Sequence, residues 1–223
     1  MPALELRGIA KKYGKKTVLS DVSFSASPGE CLGVIGGNGS GKSTLLSLLA
    51  GVCKPDRGSF FWQEKDLFSD PKALRETVGF VPQGTPLFEE LTAEDHLKLW
   101  YSSSAMKREL QSGILKRLGI DAFLKVRVSR LSGGMKKRLS IGCAMASHPK
   151  ILLLDEPSAA LDLPCKAEIH AYFEAFKKAG GIILLVTHDL QEIDLCDRLY
   201  LLKDGKAVVQ GAADLKSLAE KMK

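Results

Sequence analysis

The sequence predicts an α/β fold, a largely parallel sheet flanked by helices, and three observations predict it. Cys31-Leu32-Gly33-Val34-Ile35 is an apolar run that passes through Gly36-Gly37-Asn38-Gly39-Ser40-Gly41-Lys42-Ser43-Thr44 into the apolar Leu45-Leu46-Ser47-Leu48-Leu49-Ala50. Ile151-Leu152-Leu153-Leu154 is continuously aliphatic and ends in Asp155-Glu156-Pro157. Gly181-Ile182-Ile183-Leu184-Leu185-Val186 repeats that pattern and ends in Thr187-His188-Asp189. Runs that are apolar throughout, rather than alternating, mark strands buried on both faces.

The glycine-rich stretch has the pattern G-x-x-x-x-G-K-S between a strand and a helix, the context of a phosphate-binding loop. Glycines let consecutive backbone N–H groups turn inward around a phosphate, and the helix start adds partial positive charge. Lys42 is placed to reach the β- and γ-phosphates, and the Ser43 hydroxyl to ligate Mg²⁺. A glycine turn with a lysine nearby by chance would not need the whole pattern in this setting. The chain is therefore expected to bind a nucleoside triphosphate.

Composition sets the outer limits. The 223 residues suffice for a sizeable core, and 45% apolar with 26% charged residues is ordinary for a globular protein. The net charge of +6 comes from short groups, among them Lys11-Lys12, Lys15-Lys16, Lys136-Lys137-Arg138 and Lys177-Lys178. These read as solvated surface rather than a nucleic-acid footprint, so no nucleic acid is expected as a partner. Cys31, Cys53, Cys143, Cys165 and Cys196 form no C-x-x-C pair, which argues against a disulfide framework or a zinc site and for small core residues. Met1-Pro2-Ala3-Leu4-Glu5 lacks the basic flank and apolar core of a signal peptide, and no apolar stretch reaches membrane-spanning length.

Along the chain, Leu4–Ile9 and Val22–Ala26 alternate as half-buried strands, with turns at Gly14 and Ser27-Pro28-Gly29. Tyr13 between them is either a surface ring or a platform on which a purine base stacks. The first helix is expected to run to Gly51, followed by strands at Ser59–Trp62 and Val78–Gln83, the latter stopped by Pro82. Gln83 thus stands at a strand exit. From Thr92 to about Ser147 the chain reads as mostly helical, an α-helical insertion in the α/β core, with Leu97, Leu99, Trp100, Leu110, Ile114, Leu115 and Leu118 on buried faces. Ser102-Ser103-Ser104 reads as an interruption and Gly119 as a helix end. Leu131-Ser132-Gly133-Gly134-Met135 then opens a helix over Lys136 to about Ala146. Ser132, Gly133 and Gly134 at its start offer a hydroxyl and open amides, a second anion site, which makes sense if it closes on a nucleotide held by another copy. Arg198–Val209 reads as a hairpin turning at Asp204-Gly205, and Ala213–Lys223 as a closing helix.

At the carboxyl end of its strand, Asp155 is placed to hold Mg²⁺ and Glu156 to polarise an attacking water as general base. An exposed acidic turn accounts poorly for two carboxylates directly ending four buried aliphatics. His188 ends a strand of the same kind, from which it could contact a γ-phosphate and position the water.

In their order these motifs resemble the ATP-binding cassette of ABC transporters over nearly the whole chain. Tyr13 matches the aromatic loop, Gly36–Thr44 Walker A, Gln83 the Q-loop and Leu131–Met135 the signature. Ile151–Glu156 matches Walker B, Ser158–Asp162 the D-loop and His188 the switch histidine. The resemblance implies a single cassette over residues 1–223: a RecA-like P-loop NTPase core, an antiparallel β subdomain and a helical subdomain at about 90–147. It implies ATP and Mg²⁺ as cofactors, with Ser43, Gln83 and Asp155 around the metal, and an ATPase with Glu156, His188 and Lys42 at its centre. It also implies two cassettes closing head to tail, each nucleotide between one Walker A and the partner's Ser132-Gly133-Gly134, with the second cassette identical or a close paralogue.

The resemblance further implies separate membrane-spanning permease subunits, a place on the cytoplasmic face of the membrane, and a groove along Gln83 and Leu87-Phe88 for the permease's coupling helix. Met135 in place of the commoner glutamine, and Leu91-Thr92-Ala93-Glu94-Asp95-His96-Leu97, resemble the branch exporting drugs, polysaccharides, lipids or ions. Ala160 departs from the usual D-loop glycine, while Asp162 is retained. The alternatives are a soluble ATPase of the same family acting on nucleic acid or ribosomes, a small-molecule kinase, and a regulatory nucleotide binder. The single cassette without sustained heptads, Ser132-Gly133-Gly134, and the Glu156–His188 pair count against them in turn. No sizeable C-terminal regulatory domain is expected.

Overall fold

The computed structural model describes residues 2–159 and 161–210. Ten strands form one twisted sheet. β1 (Leu4–Tyr13) and β2 (Lys16–Ala26) pair antiparallel and continue well past the short alternating stretches that announce them. β3 (Cys31–Ile35) leads through the glycine-rich loop into α1 (Lys42–Leu49). β4 (Arg57–Trp62) and the two-residue β5 (Lys65–Asp66) extend the β1 edge, and α2 (Pro71–Thr77) precedes β6 (Val78–Val81). The sequence reading missed β5 and α2, both too short for a period to show. Asp70 caps α2, accepting from the Lys72 and Ala73 amides, and Pro71 fits its first turn.

The segment after Thr92 breaks into more pieces than expected. α3 (Ala93–Lys98) starts on the Thr92 side chain, which accepts from Asp95 N at 3.1 Å. α4 (Ser103–Gln111) and α5 (Ile114–Arg117) are parted at Ser112-Gly113. Ser102 is the N-cap of α4 and Ser103 its first residue, so the serines begin a helix rather than interrupt one. Leu97 is buried as expected, but Leu99 and Trp100 are 57% and 59% exposed because α3 ends at Lys98 and the face they would have shared ends with it. After two short 3₁₀ turns, α6 spans Gly133–Ala144, starting three residues before the expected Lys136. The early start follows from its cap, since Ser132 Oγ accepts from Met135 N at 3.3 Å.

β7 (Ile151–Asp155), α7 (Leu163–Lys178), β8 (Ile182–Val186), the short α8 (Leu190–Ile193), β9 (Arg198–Lys203) and β10 (Lys206–Gln210) complete the described chain. β9 and β10 form the expected hairpin, with Asp204 and Gly205 both at positive φ as a tight two-residue turn requires. The closing helix expected over Ala213–Lys223 lies outside the described residues.

The sheet order is β5-β4-β1-β2-β10-β9-β3-β8-β7-β6. From β9 to β6 the neighbours are parallel, whereas β1, β2, β4 and β5 are antiparallel. Every residue of β3, β7 and β8 is buried, as their unbroken apolar runs demand. Along β7 the faces alternate: Ile151 and Leu153 pack with Leu45, Leu46 and Leu49 of α1, while Leu152 and Leu154 pack with Leu139 of α6 and Ile169 and Phe173 of α7. Each such leucine contributes about 1.5–3 kcal/mol on burial.

One consequence of this order decides the rest. β3, β8, β7 and β6 are consecutive neighbours, so the loops leaving their carboxyl ends share one edge of the sheet. Those loops carry Gly36–Gly41, His188, Glu156 and Gln83, residues far apart in sequence.

Candidate functional site

The glycine-rich loop is shaped by what lies behind it. A Cβ on Gly36 would stand 2.5 Å from the Leu202 carbonyl oxygen of the β9 strand, so no larger residue fits. Gly41, the N-cap of α1, has φ +105°, and a Cβ there would press on Leu19 and Val18 of β2. Gly37, Asn38 and Gly39 at the tip are exposed. The Lys42 side chain turns back into the loop, its Nζ donating to the carbonyls of Gly36 at 2.7 Å and Gly37 at 3.1 Å. Burial pulls the Lys42 ammonium below its usual range, and the charges of Glu156 and Asp155 partly restore it. Ser40 Oγ is buried with no hydrogen-bond partner among the described residues. A ring of amides with an unsatisfied hydroxyl and an inward ammonium fits a polyphosphate.

Next to the loop, Asp155 is buried at the end of β7. Burial raises its carboxyl above the usual 3.8, and a hydrogen bond with Ser43 acts in the opposite sense. A buried carboxylate against a serine hydroxyl is an oxygen donor set that a hard divalent cation would satisfy, and it lies beside the phosphate loop.

Glu156 leaves β7 in the left-handed region, with φ +47°, and its amide donates to Val186 O of β8 at 2.8 Å. That turn carries its side chain towards two other loops. Gln83 Nε2 donates to Glu156 Oε2 at 2.7 Å, and His188 Nε2 lies 3.7 Å from Glu156 Oε1. Gln83, Glu156 and His188, separated by more than seventy residues at the widest step of sequence, thus meet around one carboxylate. With its amide nitrogen on Glu156, Gln83 keeps its side-chain carbonyl oxygen as an acceptor.

Tyr13, 52% exposed at the end of β1, presents its ring to solvent, with Lys11 Nζ 5.4 Å from the ring centroid and its hydroxyl 3.9 Å from Cys53 Sγ. Ser132 and Gly133 are exposed at the start of α6. Ser132 Oγ uses a lone pair to cap Met135 N, which leaves its own proton to donate outward. Among the described residues, Ser132 and Gly134 make no hydrogen bond to the glycine-rich loop, to Glu156 or to His188.

Two residues of the site were missed in the sequence. Lys137, read within Lys136-Lys137-Arg138 as solvated surface, is only 3% exposed; its Nζ donates to the carbonyls of Pro82 at 3.2 Å and Gln83 at 3.3 Å. Glu192 is buried at the start of α8. It accepts from the Ser158 amide at 3.1 Å and from the Thr187 hydroxyl, tying the loop after Glu156 to the strand end before His188. Helical phase gave no warning of the buried lysine, because Lys137 falls on the face of α6 opposite the apolar Met135.

Comparison with known proteins agrees with this geometry. The family described as "ABC transporter" matches residues 19–159. Nod factor export ATP-binding protein I of Bradyrhizobium diazoefficiens is 37% identical over 95% of this chain and 71% of its own length. The lipopolysaccharide export system ATP-binding protein LptB of Acidithiobacillus ferridurans is 32% identical over 94% of this chain and 90% of its own. The crystal structure of a nucleotide-free ATP-binding cassette from an ABC transporter superimposes with a TM-score of 0.86 at 26% identity, covering 100% of this chain and 97% of that one. The chain belongs to the ABC transporter family, as one of the cassettes that hydrolyse ATP to power transport.

Proposed function

We propose that this chain is the ATPase subunit of an exporter, acting as one of a pair of cassettes on the cytoplasmic face of the membrane beneath separate permease subunits. The observation that carries the catalytic part is the meeting of Gln83, Glu156 and His188 at the sheet edge beside Lys42. In this reading Tyr13 stacks on the adenine, and the amides of Gly36 to Gly41 with Ser40, Thr44 and Lys42 hold the phosphates. Ser43, Asp155 and the Gln83 carbonyl oxygen would hold Mg²⁺, which when bound neutralises charge on the β- and γ-phosphates. Glu156 takes a proton from water as its oxygen attacks the γ-phosphorus, the bond to ADP breaks, and His188 orients the water and the leaving phosphate.

The exposed Ser132 and Gly133, with the half-buried Gly134 after them, support the head-to-tail pairing. They would form an anion site whose hydroxyl proton is free to donate and which makes no hydrogen bond to the glycine-rich loop of its own chain among the described residues. A groove of about 730 Å³ beside the Gln83 loop, lined by Val52, Phe80, Pro86, Leu87, Trp100 and Cys143, supports a docked helix of the permease. Among the described residues no helix is long and apolar enough to cross a membrane, consistent with that division of labour. Export is supported by the two export systems to which the relatives belong.

The experiment is Glu156→Gln. Steady-state hydrolysis falls by about a thousandfold, within the range of a lost general base, and an ATP-dependent dimer accumulates, read by light scattering. Hydrolysis at the unsubstituted rate refutes Glu156 as the base. Purification of the Glu156→Gln protein from gently solubilised membranes brings a polytopic protein with it. Recovery with nucleic acid or ribosomes instead refutes the transporter setting.

A further inference from the structure

Lys137 is a buried charge that the chemistry above does not use. The three consecutive basic residues of α6 bind three different places. Lys136 Nζ reaches Glu89 at 3.2 Å in the loop after β6, and Arg138 reaches Glu168 of α7 at 3.0 Å. Lys137, between them, places its ammonium under the backbone of Pro82 and Gln83. Asp155, Glu192 and Glu156 favour its charge electrostatically against a burial that disfavours it. A buried ammonium is tolerated only while its donors are engaged. Any displacement of the start of α6 therefore either carries the Gln83 backbone with it or breaks two charge-assisted bonds.

The connection has two ends of known position. At one, Ser132 caps α6 and lies about a turn and a half of helix from Lys137. At the other, Gln83 donates its side-chain amide to Glu156 at 2.7 Å. A continuous path thus runs from Ser132 along α6 to Lys137, through two backbone carbonyls to Gln83, and across one hydrogen bond to Glu156. On the pairing proposed above, on which this step rests, Ser132 grips the nucleotide of the second cassette while Glu156 serves the chain's own nucleotide. We propose that Lys137 is a positioning residue that couples the two nucleotide sites of the pair. Through it, the placement of Gln83, and hence of Glu156, depends on whether Ser132 has engaged the partner's nucleotide.

The test uses the full chain and two substitutions. Lys137→Met keeps length and apolar stem but donates nothing; Lys137→Gln keeps N–H donors without the charge. Hydrolysis is measured against ATP concentration, and nucleotide affinity by equilibrium dialysis without Mg²⁺. The unsubstituted chain shows a Hill coefficient approaching about 2, the ceiling for two coupled sites. Lys137→Met brings it to about 1 with maximal turnover about tenfold lower, while affinity stays within about twofold because Lys137 does not touch the phosphate loop. Lys137→Gln keeps the cooperativity.

Cooperativity retained in Lys137→Met, or lost equally in both variants, overturns the proposal, as does a non-cooperative unsubstituted chain that still dimerises. Should Lys137→Met fail to bind nucleotide through misfolding, Lys137→Ala, which also donates nothing, takes its place, its loss of cooperativity beside retention in Lys137→Gln supporting the proposal and its retained cooperativity overturning it. Failure of the underlying pairing shows separately, as a Glu156→Gln chain that stays monomeric in ATP whatever stands at position 137.

Discussion

Two helices of this protein begin alike and differ in what they begin. α1 and α6 each start beside glycine, and each carries a buried lysine that donates to two consecutive carbonyls, Lys42 to Gly36 and Gly37, Lys137 to Pro82 and Gln83. Lys42 holds its own loop, so phosphate can take the place of those carbonyls as its acceptor and the contact opens onto a ligand. Lys137 holds a different loop, so its contact joins two parts of the fold. The cap differs as well: α1 starts on Gly41 with no side-chain hydrogen bond, leaving its amides to a ligand, whereas α6 starts on a serine that is both cap and donor. On the proposed function, the same local device makes a complete binding site in one place and a structural joint with half a site in the other.

The comparison breaks first at Lys42. Lys42→Ala is expected to lower ATP affinity about 100-fold through loss of charge-assisted contacts to phosphate, measured by dialysis on the chain alone. Binding at unsubstituted strength would mean α1 is no more a nucleotide site than α6 is. Ser132→Arg gives the complementary outcome: affinity unchanged on the isolated chain, and turnover reduced about 100-fold, the scale of a lost stabilising donor. A mixture of Lys42→Ala and Ser132→Arg chains then recovers part of the activity, because one composite site per pair is intact; no recovery argues against head-to-tail closure.

Tyr13→Ala sharpens the α1 side more mildly, weakening ATP about fivefold to tenfold, within the range for one stacked base. Tyr13→Trp should restore it, and equal loss in both variants would assign the ring to packing.

The smallest effect concerns Asp155. Burial holds its carboxyl above 3.8, so the folded chain keeps the proton more tightly than the unfolded one. Its contribution to stability is full below pH 3.8 and declines as pH rises through the raised folded value. Asp155→Asn therefore raises the melting temperature of the nucleotide-free chain at neutral pH by roughly a degree or two and flattens that part of the pH profile. The same variant loses the further stabilisation that Mg²⁺ and ATP together bring. A lower melting temperature without nucleotide would show that Asp155 is held by partners rather than strained by burial.

Much of the α1 side could be read in the chain itself. Its strand, glycines and lysine are contiguous, and an unbroken aliphatic run such as Ile151–Leu154 has few folds open to it. Asp155, Glu156 and His188 were legible for the same reason, since each ends such a run. The α6 side was legible only as a motif. Nothing local distinguishes the buried Lys137 from the more exposed Lys136 and Arg138, because its burial is set by β6 and the Gln83 loop packing over it from fifty residues away. Leu99 and Trp100 misled for the converse reason: they are apolar, but the helix that would have turned them inward stops at Lys98. The contacts among Gln83, Glu156 and His188 depend on strand order, a property of the sheet that no stretch of sequence carries.

The backbone at Glu156 has a consequence for selection. A side-chain-bearing residue at φ +47° costs on the order of 1 kcal/mol against glycine, and the neighbouring Asp155 is a charge taken out of water. Both positions that are proposed to do the chemistry are positions where the fold would be steadier with something inert. A population of variants screened for heat resistance alone would accumulate Glu156→Gly and Asp155→Asn and become silent as it became robust. What keeps these two residues in place is the requirement to work, renewed in every generation against a steady thermodynamic pull the other way.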